Sequence, residues 1–314
     1  MSDLAQLLVI LGPTASGKSA LGIELAQQLG GEILVCDSTQ VYRHFDIGTA
    51  KGPPAQQQGI PHHLVDLIEP QEVFTAGEYR QRALDALENV RRRGKLPILT
   101  AGTGLYLRAL LEGLADAPTR SEELRDHLRA KVRARGPEHL HRLLSRLDRE
   151  AAGRIAPRDT QKIIRAIEIR ILAGKAVGEI HRSGRSGLAG YTVTKIGLSP
   201  PRDRLYAKID ARVNAMIAAG WVDEVRTLVE MGVPADAKPF QFIGYSDLRD
   251  QIANGRPPGE VVGKIQQSTR RFAKRQITWF RKERDVHWLP GFGDDPDVIV
   301  AALQFARLSP GLKI

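Results

Sequence analysis

The sequence predicts an α/β protein: a parallel sheet flanked by helices, with an all-helical domain inserted into it and further helices towards the C-terminal end. Three observations predict it. Short apolar runs of strand length alternate with segments of helical periodicity, the pattern of a parallel sheet covered on both faces. The early runs close on turn residues, Gly12-Pro13 after the first, Asp37-Ser38 after the second and Gly102 after the third. From Thr119 the texture changes to an Arg-rich helical pattern without strand signals, closed by Ser183-Gly184-Arg185-Ser186-Gly187.

Taken in order, Gln6 to Leu11 reads as a strand, and Ser19 to Leu29 as a helix with Leu21, Leu25 and Leu29 on one stripe and Gly30-Gly31 as its stop. Glu32 to Cys36 and Leu96 to Thr100 are two more strands, separated by a helix from about Ala76 to Arg93 that ends at Gly94. The inserted segment is punctuated by Gly153, Pro157 and Gly174, and the chain returns to the sheet at Tyr191 to Gly197, where β-branched residues alternate. Helices are expected over Leu205 to Met231 and Lys264 to Arg284, with a loop at Pro234 to Pro239. The organisation expected is therefore a core of residues 1–117 and 190–314 and an inserted helical domain of residues 118–189.

Composition narrows the class. With 314 residues, 42% hydrophobic and 26% charged, the chain has globular averages and enough length for a sizeable core. Apolar runs such as Leu7 to Leu11 and Leu96 to Leu99 fall far short of the roughly 20 residues of a membrane span. The N-terminus lacks the order of a secretory signal, so a cytoplasmic protein is expected. A single cysteine, Cys36, excludes an intrachain disulfide and a multi-cysteine zinc site, and reads as a buried strand thiol. The adjacent His62-His63 point in different directions with no ligand partner at metal spacing, which favours structural hydrogen bonding. Nothing calls for an obligate oligomer, so a monomer is expected.

The formal net charge is +10, and it is unevenly placed. Arg120 to Arg185 carries 17 Lys and Arg against 9 Asp and Glu, and Lys264 to Arg284 carries 8 against 1, which leaves the remainder net acidic. Two basic segments on an acidic body are either solvated helix faces or a footprint for a polyanion such as nucleic acid.

Gly12-Pro13-Thr14-Ala15-Ser16-Gly17-Lys18-Ser19 fits G-x-x-x-x-G-K-[ST] between a strand and a helix, the context that makes the motif specific. It assigns the sheet to the P-loop NTPase-like kind. The glycines let successive backbone N–H groups face phosphate oxygens, Lys18 reaches the terminal phosphates, and the Ser19 hydroxyl can hold Mg2+. A Walker B aspartate is missing, because the strand Leu96 to Thr100 runs into Ala101-Gly102-Thr103-Gly104. That weakens an ATPase reading and leaves open a reaction in which the cradled phosphates depart.

Asp37, at the end of the second strand, lies by topology beside the phosphate loop and can serve as helix cap, metal ligand or general base. Gln40 offers an amide able to read a base edge, and the turn Ala101-Gly102-Thr103-Gly104 permits close backbone approach with a hydroxyl at Thr103.

These segments occur together with Asp37-Ser38-Thr39-Gln40-Val41-Tyr42, Ile47-Gly-Thr-Ala-Lys51, Pro61-His-His-Leu64, Gly102-Thr-Gly-Leu-Tyr106, Arg212-Val213, Gly220-Trp221, Glu224-Val225, Ile243-Gly244-Tyr245 and Thr269-Arg-Arg-Phe-Ala-Lys-Arg-Gln-Ile-Thr-Trp-Phe-Arg281. In this order the set resembles the bacterial tRNA dimethylallyltransferases, the tRNA isopentenyltransferase family, over nearly the whole chain. The resemblance implies transfer of a dimethylallyl group from dimethylallyl diphosphate to N6 of the adenine immediately 3' of the anticodon, with Mg2+ as cofactor and the tRNA anticodon stem-loop as partner. It implies that Lys18 and Arg212 neutralise the diphosphate, that Asp37 accepts the N6 proton, and that Thr103 positions the reacting groups. It also carries tRNA contacts onto Ser38, Thr39 and Gln40, onto Arg125, onto Gln161, Lys162, Ile163, Ile164 and Arg165, onto Phe240, Gln241, Phe242, Ile243, Gly244 and Tyr245, and onto Lys274, Arg275, Gln276, Ile277, Thr278, Trp279, Phe280 and Arg281. The chain departs from the family pattern at Gly52, Ala101 and Gln241.

Helical spacing adds that Arg270, Lys274 and Arg281 share one face and Phe272 and Trp279 another, although Trp279 and Phe280 equally suit a core. The alternative reading is a P-loop nucleoside or small-metabolite kinase, against which the missing strand-end aspartate and the two basic segments both count.

Overall fold

A computed structural model describes residues 4–308 apart from 183, 256 and 258. Six strands form one parallel sheet: β1 (Ala5–Leu11), β2 (Gly31–Cys36), β3 (His62–His63), β4 (Leu96–Ala101), β5 (Tyr191–Leu198) and β6 (Val286–Leu289), in the order β3-β2-β4-β1-β5-β6. From Leu7 to Leu11 every residue of β1 is buried, as in a sheet covered on both faces. Leu8 and Ile10 join a core with Leu21 and Leu25 of α1 (Lys18–Leu29), while Leu7, Val9 and Leu11 are equally buried and point the opposite way. Opposite-face cover comes from α2 (Ala76–Arg92), whose Tyr79, Ala83, Leu87 and Val90 recur at helical spacing; a Thr75–Glu78 capping box starts it. After β4 comes α3 (Gly104–Glu112).

The chain divides into two units, Met1–Leu111 with Ala189–Ile314, and Glu112–Leu188. The second begins six residues before the boundary expected at residue 118. It holds α4 (Glu122–Arg135), α5 (Pro137–Leu147), α6 (Arg149–Arg154), α7 (Thr160–Ala173) and α8 (Val177–Arg182), around a core of Leu128, Leu140, Leu144, Ile163, Ile164 and Ile167. Ser183, the first residue of the expected closing segment, lies outside the described residues. In this core Glu168 is fully buried and accepts two hydrogen bonds from Arg125, at 2.8 and 2.7 Å, one from Arg165 at 2.6 Å, and one from the Ser121 N–H at 2.9 Å. Burial pushes its carboxyl up, but these donors outweigh it and hold Glu168 at about 2.

The C-terminal part of the first unit corrects two expectations and adds two elements. The single helix over Leu205 to Met231 is two, α9 (Arg202–Ala218) and α10 (Trp221–Glu230), because Gly220 takes a left-handed conformation at φ +96° and turns the chain. After α11 (Tyr245–Ala253), α12 spans Gly259–Phe280 rather than Lys264 to Arg284; its last turn tightens, with the Lys282 N–H donating to the Trp279 carbonyl at 3.1 Å, and the chain enters β6. Neither β6 nor α13 (Pro296–Leu308) was evident in the sequence pattern, although Val298, Ala302 and Ala306 of α13 complete the core around α1. A second cluster, with Tyr42, Phe45, Trp221, Phe240, Tyr245 and Ile265, joins the loop after β2 to α10, α11 and α12. Among the described residues no helix is long and apolar enough to cross a membrane.

Candidate active site

The phosphate loop joins β1 to α1 at the C-terminal edge of the sheet, next to the ends of β2 and β4, where ligands bind in open parallel sheets. Gly17 caps α1 at φ +86°, and a Cβ there would lie 2.6 Å from the Gly293 nitrogen; that nitrogen in turn donates to the Ser16 carbonyl at 2.8 Å. No side chain other than hydrogen fits. The Lys18 ammonium donates to the Pro13 carbonyl at 2.7 Å, and the Thr14 N–H donates to Gln276 Oε1 at 2.8 Å. Gln276, buried on α12, also donates to the Gly102 carbonyl at 2.8 Å, so one amide ties the phosphate loop to the turn after β4.

Asp37 follows β2. Its Oδ1 accepts from the Thr39 N–H at 2.9 Å and the Thr39 hydroxyl at 2.7 Å, a local turn that fixes the carboxylate plane. Oδ2 has no hydrogen-bond partner among the described residues, and a Cβ on Gly102 would sit 2.8 Å from it. Glycine at 102 thus lets the turn after β4 approach the carboxylate. The Thr103 hydroxyl accepts from the Ser38 N–H at 3.0 Å and donates to Ser38 Oγ at 3.3 Å, which ties the two turns together. Arg212 Nη1 lies 3.5 Å from Thr14 Oγ1, its pKa lowered chiefly by burial. Phosphate loop, Asp37, Thr103 and Arg212 are therefore brought together as the sequence implied.

Desolvation lowers Lys18 to about 8; the charge of Asp37 opposes this and that of Arg212 adds to it. Since only the ammonium binds an anion strongly, affinity for inorganic diphosphate should weaken as pH rises through 8. In Lys18→Arg, which stays charged, that weakening should be absent. Calorimetric titrations from pH 6.5 to 9.5 test this, and parallel profiles for the two proteins would refute it.

Ser19 is exposed on the first turn of α1, and no group of three or more metal-ligating side chains occurs among the described residues. One hydroxyl beside a phosphate cradle suits Mg2+, which takes few protein oxygens and fills its octahedron with phosphate and water. A cavity of about 500 Å³ adjoins Gly12 and Pro13; Arg202, Lys274 and Arg281 bring charge to it, over Ile277, Phe280 and Trp288.

Several of the residues expected as nucleic-acid contacts are buried or paired within the chain. Arg125 is committed to Glu168, and Ile163 and Ile164 are core residues of the helical unit; from that segment Gln161 and Lys162 are exposed, while Arg165 is held by Glu168. Phe240, Tyr245 and Phe280 are core aromatics, and the amide of Gln276 is engaged as described. Gln241 is exposed, Phe242 and Ile243 are half-buried, and Gly244 starts α11. Arg108 stacks over the Trp279 ring, 4.7 Å from its centroid. Arg270 pairs with Asp210, which takes it out of the expected basic stripe; Lys274, Arg275, Thr278 and Arg281 remain exposed and Ile277 is half-buried. The side-chain nitrogen of Gln40, Nε2, donates to the Thr49 and Ala50 carbonyls at 3.0 and 3.4 Å. As expected, Cys36 is buried, and His63 pairs with Glu32 at 2.7 Å while His62 Nδ1 meets the Ile60 carbonyl.

With a phosphate cradle, a carboxylate oxygen left open beside it and no acidic residue ending β4, the fold and site define a transferase on a P-loop frame. Sequence similarity gives the family. The IPP transferase profile matches residues 40–283, more than half of the chain, and the chain belongs to that family. The tRNA dimethylallyltransferase of Koribacter versatilis is 47% identical over 313 residues, covering 98% of this chain and 100% of that one. That of Solibacter usitatus is 47% identical over 297 residues, covering 95% and 96%. Among solved structures, the tRNA isopentenylpyrophosphate transferase of Bacillus halodurans superposes with a TM-score of 0.71 at 36% identity, over 98% of this chain and 96% of that one. A eukaryotic dimethylallyltransferase acting on tRNA gives 0.76 at 26% identity, over 91% and 74%.

Proposed function

We propose that this transferase moves a dimethylallyl group from dimethylallyl diphosphate to N6 of the adenine 3' of the anticodon in tRNA, releasing diphosphate. The observation that carries the reading is the open Oδ2 of Asp37 beside a phosphate cradle whose cations, Lys18 and Arg212, have no partner carboxylate at the end of β4. The named activity of the relatives supports it, and nothing among them favours the kinase alternative.

In this reading the diphosphate occupies the loop Gly12 to Ser19, where backbone N–H groups and Lys18 take up the negative charge that grows as the allylic C–O bond loosens. Mg2+, held through Ser19, would supply further neutralisation of the departing diphosphate. Lys18 must exchange the Pro13 carbonyl for phosphate oxygen, and the Thr14 N–H must leave Gln276 to join the cradle. Arg212, which approaches the loop at Thr14, is placed to bind the same anion. Adenine N6 attacks the allylic carbon and gives its proton to Asp37 Oδ2. An adenine must leave its stack to reach this site, which fits a single-stranded loop as the substrate.

Exposed Lys274 and Arg275 on α12 are proposed as phosphate contacts. Reversing both charges, Lys274→Glu with Arg275→Glu, should weaken stem-loop binding and reduce the slope of log affinity against log salt by about 1.4, at about 0.7 per phosphate contact on single strands. Anisotropy titrations at four salt concentrations measure it, and an unchanged slope removes this face of α12 from the interface. The activity itself is tested by transfer of label from dimethylallyl diphosphate to unmodified tRNA, with ATP phosphotransfer as the control. Label confined to tRNAs with adenine 3' of the anticodon supports the proposal; ATP turnover without label in tRNA would install the kinase reading.

A further inference from the structure

The loop that follows Tyr42 is gripped from one side by Glu224 of α10. The N–H groups of Asp46 and Ile47 donate to Glu224 Oε2 at 3.0 and 2.7 Å, the N–H of Gly48 to Oε1 at 3.4 Å, and the Tyr245 hydroxyl to Oε1 at 2.7 Å. Three consecutive amides and a buried phenol converge on one carboxylate. A Cβ on Gly48 would overlap the buried Trp221 indole, so the loop lies directly against that ring. Two residues beyond Gly48, Ala50 takes a left-handed conformation at φ +58°.

On its other side the same loop offers the carbonyls of Thr49 and Ala50, and both are taken by the amide of Gln40. A primary amide has two N–H donors and one acceptor oxygen. Two carbonyls can be met only by the NH2 end, so the amide cannot be flipped. Gln40 Oε1 has no donor among the described residues, and it stands three positions from Asp37 in the same half-buried turn.

We infer that Gln40 reads the acceptor base through Oε1 alone, as a hydrogen-bond acceptor for the exocyclic amine, and that Glu224 is the positioning residue that holds it in this state. The inference rests on the proposed function. Adenine N6 carries two hydrogens; one goes to Asp37, and the other donates to Gln40 Oε1. The two-point pairing with adenine N6 and N7 that a free Gln amide can make is excluded, because its donors are committed to the loop. A base with a carbonyl at position 6 would oppose its own acceptor oxygen to Oε1, so hypoxanthine is rejected even as a ligand. Selection of the amine is built into the backbone of residues 46–50 and is set from a helix remote in sequence.

The test uses two anticodon stem-loops that differ only in adenine or hypoxanthine at the acceptor position, with affinity measured by anisotropy in the absence of dimethylallyl diphosphate. The wild type should prefer adenine by tenfold or more. Glu224→Gln, which sets an NH2 group against the loop amides, should reduce that ratio severalfold and lower kcat/KM for RNA, with KM for dimethylallyl diphosphate unchanged. Gln40→Leu should reduce the ratio without touching Glu224, so the inference stays testable if the Glu224 variant does not fold; Tm is recorded for each protein. A wild-type ratio near one would overturn the reading of the base by Gln40, whereas the proposed function fails only if no label is transferred to tRNA. A high ratio that survives Gln40→Leu would overturn the reading role of Gln40. A ratio that falls in Gln40→Leu yet survives in a folded Glu224→Gln would overturn the positioning role of Glu224.

Discussion

In Asp37→Asn, single-turnover transfer to tRNA should fall about 10²- to 10⁴-fold, the usual contribution of a positioned general base, while tRNA affinity stays within a few fold. The separation follows from the two carboxylate oxygens. Oδ1 accepts from the Thr39 N–H and hydroxyl, and the carbonyl oxygen of asparagine can do the same, so the turn and the residues after it keep their places. Oδ2 is the open atom, and an amide NH2 there can donate but cannot accept the N6 proton. Rapid-quench measurement at saturating dimethylallyl diphosphate reads the chemical step. A wild-type rate in the variant would end the assignment of Asp37 as base. Asp37→Ala should lose transfer as well, but would also release the Thr39 contacts, which makes the asparagine variant the cleaner reading.

The second large effect concerns stability. Arg125→Met should destabilise the protein by about 3–5 kcal/mol, because it leaves the buried Glu168 charge without its two-pronged partner. Arg165 and the Ser121 N–H remain, and they cannot replace the lost geometry. Removing both members, Arg125→Met with Glu168→Leu, should recover most of the loss, since the penalty belongs to the stranded charge. The pH dependence follows in sign. The Glu168 carboxyl is lower in the folded state than in the unfolded chain, so its contribution is present above the ordinary glutamate range near 4.5 and is lost as pH falls towards 2. Denaturant melts of the wild type and the two variants at pH 7 and pH 3.5 measure both effects; an Arg125→Met variant as stable as the wild type would show the pair to be dispensable.

This pair also shows where sequence reasoning loses its grip. The family resemblance makes Arg125 a tRNA contact, and nothing local announces that a partner lies 43 residues further on, fully buried. The phosphate loop, Asp37 and the turn at Gly102 were legible because their chemistry is carried by neighbours in the chain and punctuated by glycine. Residues whose work is done across the fold were not. Gln276 was anticipated only as part of a nucleic-acid contact, yet its amide joins Thr14 to Gly102 over separations of 262 and 174 residues. Glu224 belonged to a family motif without a stated role until the loop amides were seen to converge on it. The break at Gly220 was readable in principle, since glycine is a common helix stop, but the apolar period resumes at Trp221 and hides it. The short β6, only Val286–Leu289, has too few residues to display a period.

The contact between Gly17 and Gly293 makes the phosphate loop depend on residues far away in the sequence. The cradle at residues 12–19 is buttressed by a turn at residues 292–293, some 275 positions further along the chain, and α1 beneath it is roofed by α13. A chain without Phe292 and Gly293 keeps the whole motif but loses the wall packed against it. Removal of the residues from 291 onward should therefore weaken the binding of inorganic diphosphate while leaving the motif itself intact in sequence.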